Sequence, residues 1–322
     1  MVASTYSKIL ELIAKPVLEQ VDIKFGEEVT RIQSDAGESG DSVTVESASG
    51  LSETFDQVVL TAPHGWLQNN KAAFSPPLPP ELSEAIDSIH YGHLEKAFIH
   101  FPEAWWDNNS NSDATPGTFT MWAQPDYALD TNPTRTTQQC LSLSALPDSL
   151  AHPTLGFYIY GDFSRIITNA IQNLPPSSPA YQSAILNLLH PYYSKLPGYD
   201  PSDPSCKPKS CIVSDWSHDR LSGYGSYTNF QVGLEDGARS LGLIRAGLGA
   251  DRGVWFAGEH CAPFVALGTA AGAYVAGERI AMRISQRFGL GEGPKGDPES
   301  LASATEVPRS GFVRNKEGQG SA

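Results

Sequence analysis

The stretch Val254 to Ile284, VWFAGEHCAPFVALGTAAGAYVAGERIAMRI, constrains the fold more than any other part of the chain. Three apolar residues (Val254, Trp255, Phe256) read as a short strand, and Ala257-Gly258-Glu259 turns the chain away from it. After a loop, Gly268-Thr269-Ala270-Ala271-Gly272 opens a helix whose first turn is nearly bare of side chains. So bare a start lets backbone amides and the positive end of the helix dipole approach a ligand closely. Gly268, Gly272 and Ala276 recur every four residues, as do Ala273, Gly277 and Ala281, a spacing that lets a helix pack tightly on a neighbour.

The whole chain is long enough for about two domains at 322 residues, and 40% hydrophobic residues can bury a substantial core. A net charge of −14 disfavours nucleic acid, whose phosphates attract Lys and Arg. It suits a cationic substrate, although an acidic total equally serves solubility. No apolar run approaches the roughly 18 residues of a membrane span, and the first residues lack the pattern of a signal peptide. The expected location is therefore cytoplasmic. Cys206-x4-Cys211 is the only close cysteine pair; without companion ligands it reads as a reduced pair in a Pro-rich loop.

Ile9, Leu12, Ile13 and Val17 recur at helical spacing, with Pro16 expected to end or kink that helix. Residues 21–32 read as strand and turn with Gly26 the breaker. Val43 and Val45, turning at Ala48-Ser49-Gly50 into Leu51 to Phe55, read as a hairpin. Val58-Val59-Leu60 reads as a short buried strand stopped by Pro63. The character changes near residue 68. Prolines 76, 77, 79 and 80 precede a helix over 81–88, then a strand over 96–101, a strand over 157–160 and a helix over 180–189. The tail from residue 291 is polar and expected to be disordered.

Five blocks, in order, carry a resemblance. They are Glu28-Val29-Thr30-Arg31-Ile32, the run Val58 to Leu67, Gly92-His93-Leu94-Glu95-Lys96 leading to Phe101-Pro102 and Trp105-Trp106, Asp215-Trp216 continuing to Gly225-Ser226-Tyr227, and the opening segment. Together the chain resembles the flavin monoamine oxidase family, especially its fungal-type members, over roughly residues 10–288.

The resemblance implies an α/β and α+β architecture: an incomplete, Rossmann-like FAD-binding domain with an inserted mixed-sheet substrate domain. Residues 1–67 and 210–290 would form the FAD part, 68–209 the substrate domain and 291–322 the tail. It also implies cofactor contacts at Val29 (by backbone, near the adenine), Gly258, Glu259, Gly268 and Thr269. Lys96 would hold a water near the flavin and assist catalysis, and a cation there stabilises developing negative charge. Tyr227 would face the amine, as an aromatic wall tolerates an amine without a charged partner. Thr269 stands where monoamine oxidases place a second tyrosine, so the substrate cage is half aromatic. Ser226 stands where covalent attachment uses a cysteine, which implies noncovalent FAD. Trp216 reads as a packing aromatic, and His218-Asp219 and His260-Cys261 as solvated loop residues.

The family begins with a strand running into a Gly-x-Gly-x-x-Gly turn that seats the FAD pyrophosphate. No strand of this sequence runs into such a turn, so the chain is expected to match the C-terminal two-thirds of a complete member. Two functions follow. One is a flavin-dependent amine oxidase, converting a small-molecule amine to an imine and reducing O2 to H2O2. The other is a truncated, noncatalytic remnant that binds without turnover. The amine stays open among a primary amine, a polyamine and a biosynthetic intermediate.

Overall fold

The computed structural model describes residues 6–34, 42–107 and 119–290. The chain opens with α1 (Ser7–Leu18), then β1 (Val29–Ser34), β2 (Val43–Ser47) and β3 (Ser52–Phe55). The expected hairpin is the β2–β3 pair. Its turn closes by Ser47 N–H to Leu51 O (2.9 Å) and by Gly50 at φ +90°. Next come β4 (Val58–Leu60), α2 (His64–Asn69), β5 (Phe74–Ser75), α3 (Pro80–Ser88) and β6 (His90–Gly92). The first sheet has the order β3-β2-β1-β5, with β5 parallel to β1 and the other pairs antiparallel.

The second unit contains β7 (Leu94–His100), β8 (Phe119–Trp122), β9 (Gln138–Ser142), β10 (Thr154–Tyr160), α4 (Asp162–Ile171), α5 (Pro179–Tyr193) and β11 (Ser210–Val213). Its five-stranded sheet, β11-β7-β10-β9-β8, is antiparallel throughout. Ser178 caps α5 by accepting from Tyr181 N–H, and Pro179 sits at the first helical position, where its missing donor costs nothing. Tyr181, Ile185, Leu189 and Tyr192 then fall on one face at helical spacing and are buried in the core of this unit.

The chain returns through β12 (Tyr227–Asn229), α6 (Gly237–Ala246), α7 (Gly249–Arg252), β13 (Val254–Phe256) and α8 (Ala270–Arg287). β13 pairs in parallel with β4, Val254 opposite Val58 and Phe256 opposite Leu60, so the opening segment rejoins the first unit. β12 pairs with β6 at the crossing between the units. One core is built from residues 32–89 and 244–276, the other from residues 97–213. Residues 68–89 thus pack in the first core, and the second begins with β7, later than the change of sequence character at residue 68.

Three local expectations change. α1 runs past Pro16 to Leu18, because a proline in the last turn removes only one late hydrogen bond. Residues 21–24 form no strand; they alternate Val21 and Ile23 with Asp22 and Lys24, but no neighbouring strand pairs with them. β4 is half-buried rather than buried, with Val59 43% exposed. One of the two small-residue stripes on α8 is pressed against a neighbour. A Cβ on Gly272 would lie 2.1 Å from Ala266 O, whereas one on Gly277 would meet nothing within 4 Å. The tail from residue 291 lies outside the described residues.

Two backbones cross closely where the turn ahead of β12 meets the start of α2. Gly223 (φ +82°) leaves room for the start of α2, and a Cβ there would stand 2.0 Å from the carbonyl carbon of Gly65. Gly223→Ala is expected to destabilise the fold by about 3 kcal/mol or more, from positive φ and overlap together. Gly242→Ala, at an open position within α6, should stabilise by about 0.5–1 kcal/mol. Urea midpoints of the two variants provide the check, and equal midpoints would refute the crossing argument.

Candidate active site

β7 sets the site by its period of two. Ala97 and Ile99 point into the second core and Glu95 is buried beside the turn after β11, while Leu94, Lys96 and Phe98 line a cleft of about 610 Å³. β11 and the turn after it add Ile212, Val213, Ser214 and Trp216, and Ser226, Tyr227 and Gly268 close the other side. Of the expected site residues, Lys96, Tyr227 and Gly268 therefore come together from three distant parts of the chain.

Lys96 is exposed, and its Nζ lies 5.4 Å from the centre of the Tyr158 ring, its cross-strand partner on β10. That distance is within cation–π range. Gly268 is bare for a local reason. At φ +74° its missing Cβ would stand 2.8 Å from Cδ2 of Tyr227, so the glycine seats the tyrosine ring. Ser226 Oγ donates to Gly92 O (3.0 Å) and accepts from Leu94 N–H (2.9 Å), which fixes the start of β12 against β7.

Glu259 is committed inside the protein. Its carboxylate accepts from Thr228 N–H (3.0 Å), Thr228 Oγ (2.6 Å) and Gly268 N–H (2.9 Å), tying β12 to the loop ahead of α8. Burial raises its pKa, and these hydrogen bonds offset only part of that rise. Gly258 (φ +124°) faces the buried His260 ring, whose Cε1 would be 3.0 Å from a Cβ there. Thr269 caps α8, with its Oγ accepting from Gly272 N–H (3.0 Å) and donating to Ala266 O (2.7 Å). Thr269, Ala270 and Ala271 are exposed, so the bare first turn of α8 opens to solvent beside the cleft. Val29 stands apart from the cleft, half-buried at the start of β1 and packed on the first core.

His260 and Cys261 are not solvated, contrary to the sequence reading: both are buried, because the turn of Gly258 folds them under the first core. The His260 ring lies 5.6 Å from that of buried His64. Burial lowers His64 to about 4; burial, helped by the neighbouring His64, lowers His260 to about 3. His218 does stay partly exposed and bonds Asp215 through Nδ1 (2.7 Å). Cys206 and Cys211 are free and buried. Sequence reasoning passed over Glu95, His64 and Tyr158. The alternation along β7 marks Glu95 as an inward carboxylate, but nothing local marks the other two.

Among the described residues no strand runs into a Gly-x-Gly-x-x-Gly turn; the literal string Gly291 to Gly296 follows a helix, contains Pro294 and lies outside them. The described residues hold no group of three His, Cys, Asp or Glu able to bind a metal, and no described helix is long and apolar enough to cross a membrane.

Comparison with known proteins matches residues 3–285 to a family described as flavin containing amine oxidoreductase. A corticosteroid-binding protein of Candida albicans is 26% identical over 84% of this chain and 54% of its own length. Human peroxisomal N(1)-acetyl-spermine/spermidine oxidase is 28% identical over 67% of this chain and 40% of its own. A solved structure of putrescine oxidase redesigned in its cofactor binding superposes with a TM-score of 0.59 at 15% identity, covering 87% of this chain and 53% of that one. The chain thus spans about half the length of these relatives.

The buried imidazoles predict a pH dependence with a definite sign. Above pH 6.5 both rings are neutral whether folded or unfolded, and they leave stability unchanged. Below it the unfolded chain binds protons that the folded chain refuses, down to about pH 4 at His64 and about pH 3 at His260. Each ring should therefore remove about 1.4 kcal/mol of stability per pH unit in that window. His64→Leu should flatten the fall between pH 6 and pH 5 by about that amount. Urea unfolding at the two pH values measures it, and identical slopes for both proteins would refute the assignment.

Proposed function

The chain belongs to the flavin-containing amine oxidoreductase family, and on that premise we propose that it is the amine-facing part of an FAD-dependent amine oxidase. The observation that carries this reading is the convergence of Lys96, Tyr227 and Gly268 on one cleft beside the open first turn of α8. Residues so far apart in sequence have no packing need to share a solvent-filled surface.

The chain's residues fit a flavin at that point. The first turn of α8 carries nothing larger than threonine, and its positive dipole end suits a group that gains negative charge. Gly268 and Thr269 would meet the flavin there, with Gly258 and Glu259 behind them and Val29 toward the adenine. Ser226 offers no thiol, so attachment would be noncovalent. When bound, FAD supplies the oxidation: a hydride equivalent leaves the carbon beside the amine, water hydrolyses the resulting imine, and O2 is reduced to H2O2.

The rest is done by side chains. Lys96 places a positive charge in the cleft and Tyr158 steadies it, which favours an amine that arrives unprotonated. The Tyr227 ring forms one wall, and Leu94, Phe98 and Ile212 receive the apolar part of the molecule. No Asp or Glu is among the lining residues, so a second amino group would find no counter-charge on them.

A second reading, a noncatalytic binding remnant, is favoured by one observation. The Glu259 carboxylate and the Thr269 hydroxyl are both occupied by internal hydrogen bonds. Purifying the chain with excess FAD and recording its visible spectrum separates the two. The oxidase reading expects a bound-flavin spectrum that bleaches when an amine is added, whereas a colourless protein inert to amines supports the remnant. In any flavin-loaded form, Lys96→Met should slow bleaching or reoxidation about tenfold or more, the scale of losing a well-placed charge. Unchanged rates for both half-reactions would remove Lys96 from the chemistry.

A further inference from the structure

Beneath the cleft floor lies a carboxylate that does not itself line the cleft but holds residues that do. Glu95 has no exposed surface and points away from its neighbour Lys96, into the gap between β7 and the turn after β11. Four donors converge on it: Ser214 Oγ (2.6 Å), Trp216 N–H (3.2 Å), Ser217 N–H (3.1 Å) and Ser217 Oγ (3.0 Å). With both oxygens accepting, the carboxylate meets all four; a glutamine would turn an N–H toward at least one of the two backbone donors. Ser214 continues the connection. Its Oγ accepts from Lys96 N–H (2.9 Å), and its own N–H donates to Lys96 O (3.0 Å).

The segment held in this way carries one wall of the cleft. Trp216 follows Asp215 on the turn; its side chain is 44% exposed, and it stacks on no other ring among the described residues. No ring partner holds the indole among the described residues, and the backbone that carries it, residues 214–217, is held by the donors to Glu95. Building a buried carboxylate is costly, and a core position on a strand would ordinarily take an apolar side chain.

We infer that Glu95 is a positioning residue that sets the distance between the Lys96 and Trp216 walls, and with it the width of the cleft. The link to amine binding rests on the oxidase reading; the link to Trp216 does not.

The test compares the full chain with Glu95→Gln, using acrylamide quenching of Trp216. The Trp216 signal is isolated by subtracting matched proteins that also carry Trp216→Phe. Benzylamine binding is followed through the same fluorescence. Glu95→Gln should raise Trp216 quenching about twofold and weaken benzylamine about tenfold, the scale of a lost charged hydrogen bond, while the other tryptophans stay unchanged. A folded Glu95→Gln protein with Trp216 quenching unchanged, or with all tryptophans loosened alike, overturns the proposal. Should Glu95→Gln fail to fold, Ser214→Ala decides. It keeps the carboxylate and three donors, and unchanged Trp216 quenching in that variant is again a refutation. If the wild-type chain binds no benzylamine, the quenching comparison by itself decides the role of Glu95, and the flavin spectrum decides the oxidase reading.

Discussion

The arrangement rests on the parallel pairing of β4 with β13. Three residues on each strand join parts of the chain separated by the whole second core, and a parallel pair always requires such a crossover. That pairing positions everything after it. The turn at Gly258 leaves β13, folds His260 and Cys261 under the first core, and delivers Glu259 to Thr228. Glu259 then accepts from Gly268 N–H, which sets where α8 begins. The β4–β13 register, with the Glu259 and Ser226 ties to β12, fixes the first turn of α8 relative to the cleft on β7.

Two chemistries share the interior, handled in opposite ways. Glu95 and Glu259 are buried with donors supplied from other segments, so each joins elements that covalent sequence keeps apart. Burial works against both, and the donors are what make charged groups tolerable there. His64 and His260 take the cheaper course for a buried base, which is to remain neutral. The carboxylates therefore behave as ties and the imidazoles as packing, although all four are polar residues withdrawn from solvent, Glu259 in part. Their difference lies in partners: donors reach both carboxylates, whereas neither His64 ring nitrogen nor His260 Nε2 has a hydrogen-bond partner that would support a charge.

What could be read in advance follows from how local the cause is. The β2–β3 hairpin was visible in its turn, and β13 and α8 in an apolar triplet followed by a bare helix start. Lys96 and Tyr227 were identified through resemblance, and the structure brings them to one cleft. The burial of His260 was missed, because it comes from the first core closing over a turn that looks polar when read alone. Glu95 was quoted as part of a block without a role, since its partners lie beyond residue 213 and no local pattern joins them to β7. The spared glycines show the same limit. Gly268 suggested close approach to a ligand, yet its immediate cause is the ring of Tyr227.

A glycine that seats an aromatic ring and a carboxylate that holds the glycine's own N–H are structural requirements before any ligand is present. They fix Tyr227 and the start of α8 to each other, and the period of β7 fixes Lys96 opposite them. The cleft side carries apolar and aromatic residues with Lys96 the one cation among them, while the buried side carries the charged ties. Lys96 stays accessible at the cleft, and the costly polar contacts lie one residue away, on the inner face of the same strand. Lys96 and Glu95 are the two halves of that division: adjacent in sequence, opposite in direction, and each able to occupy its place only because the strand alternates.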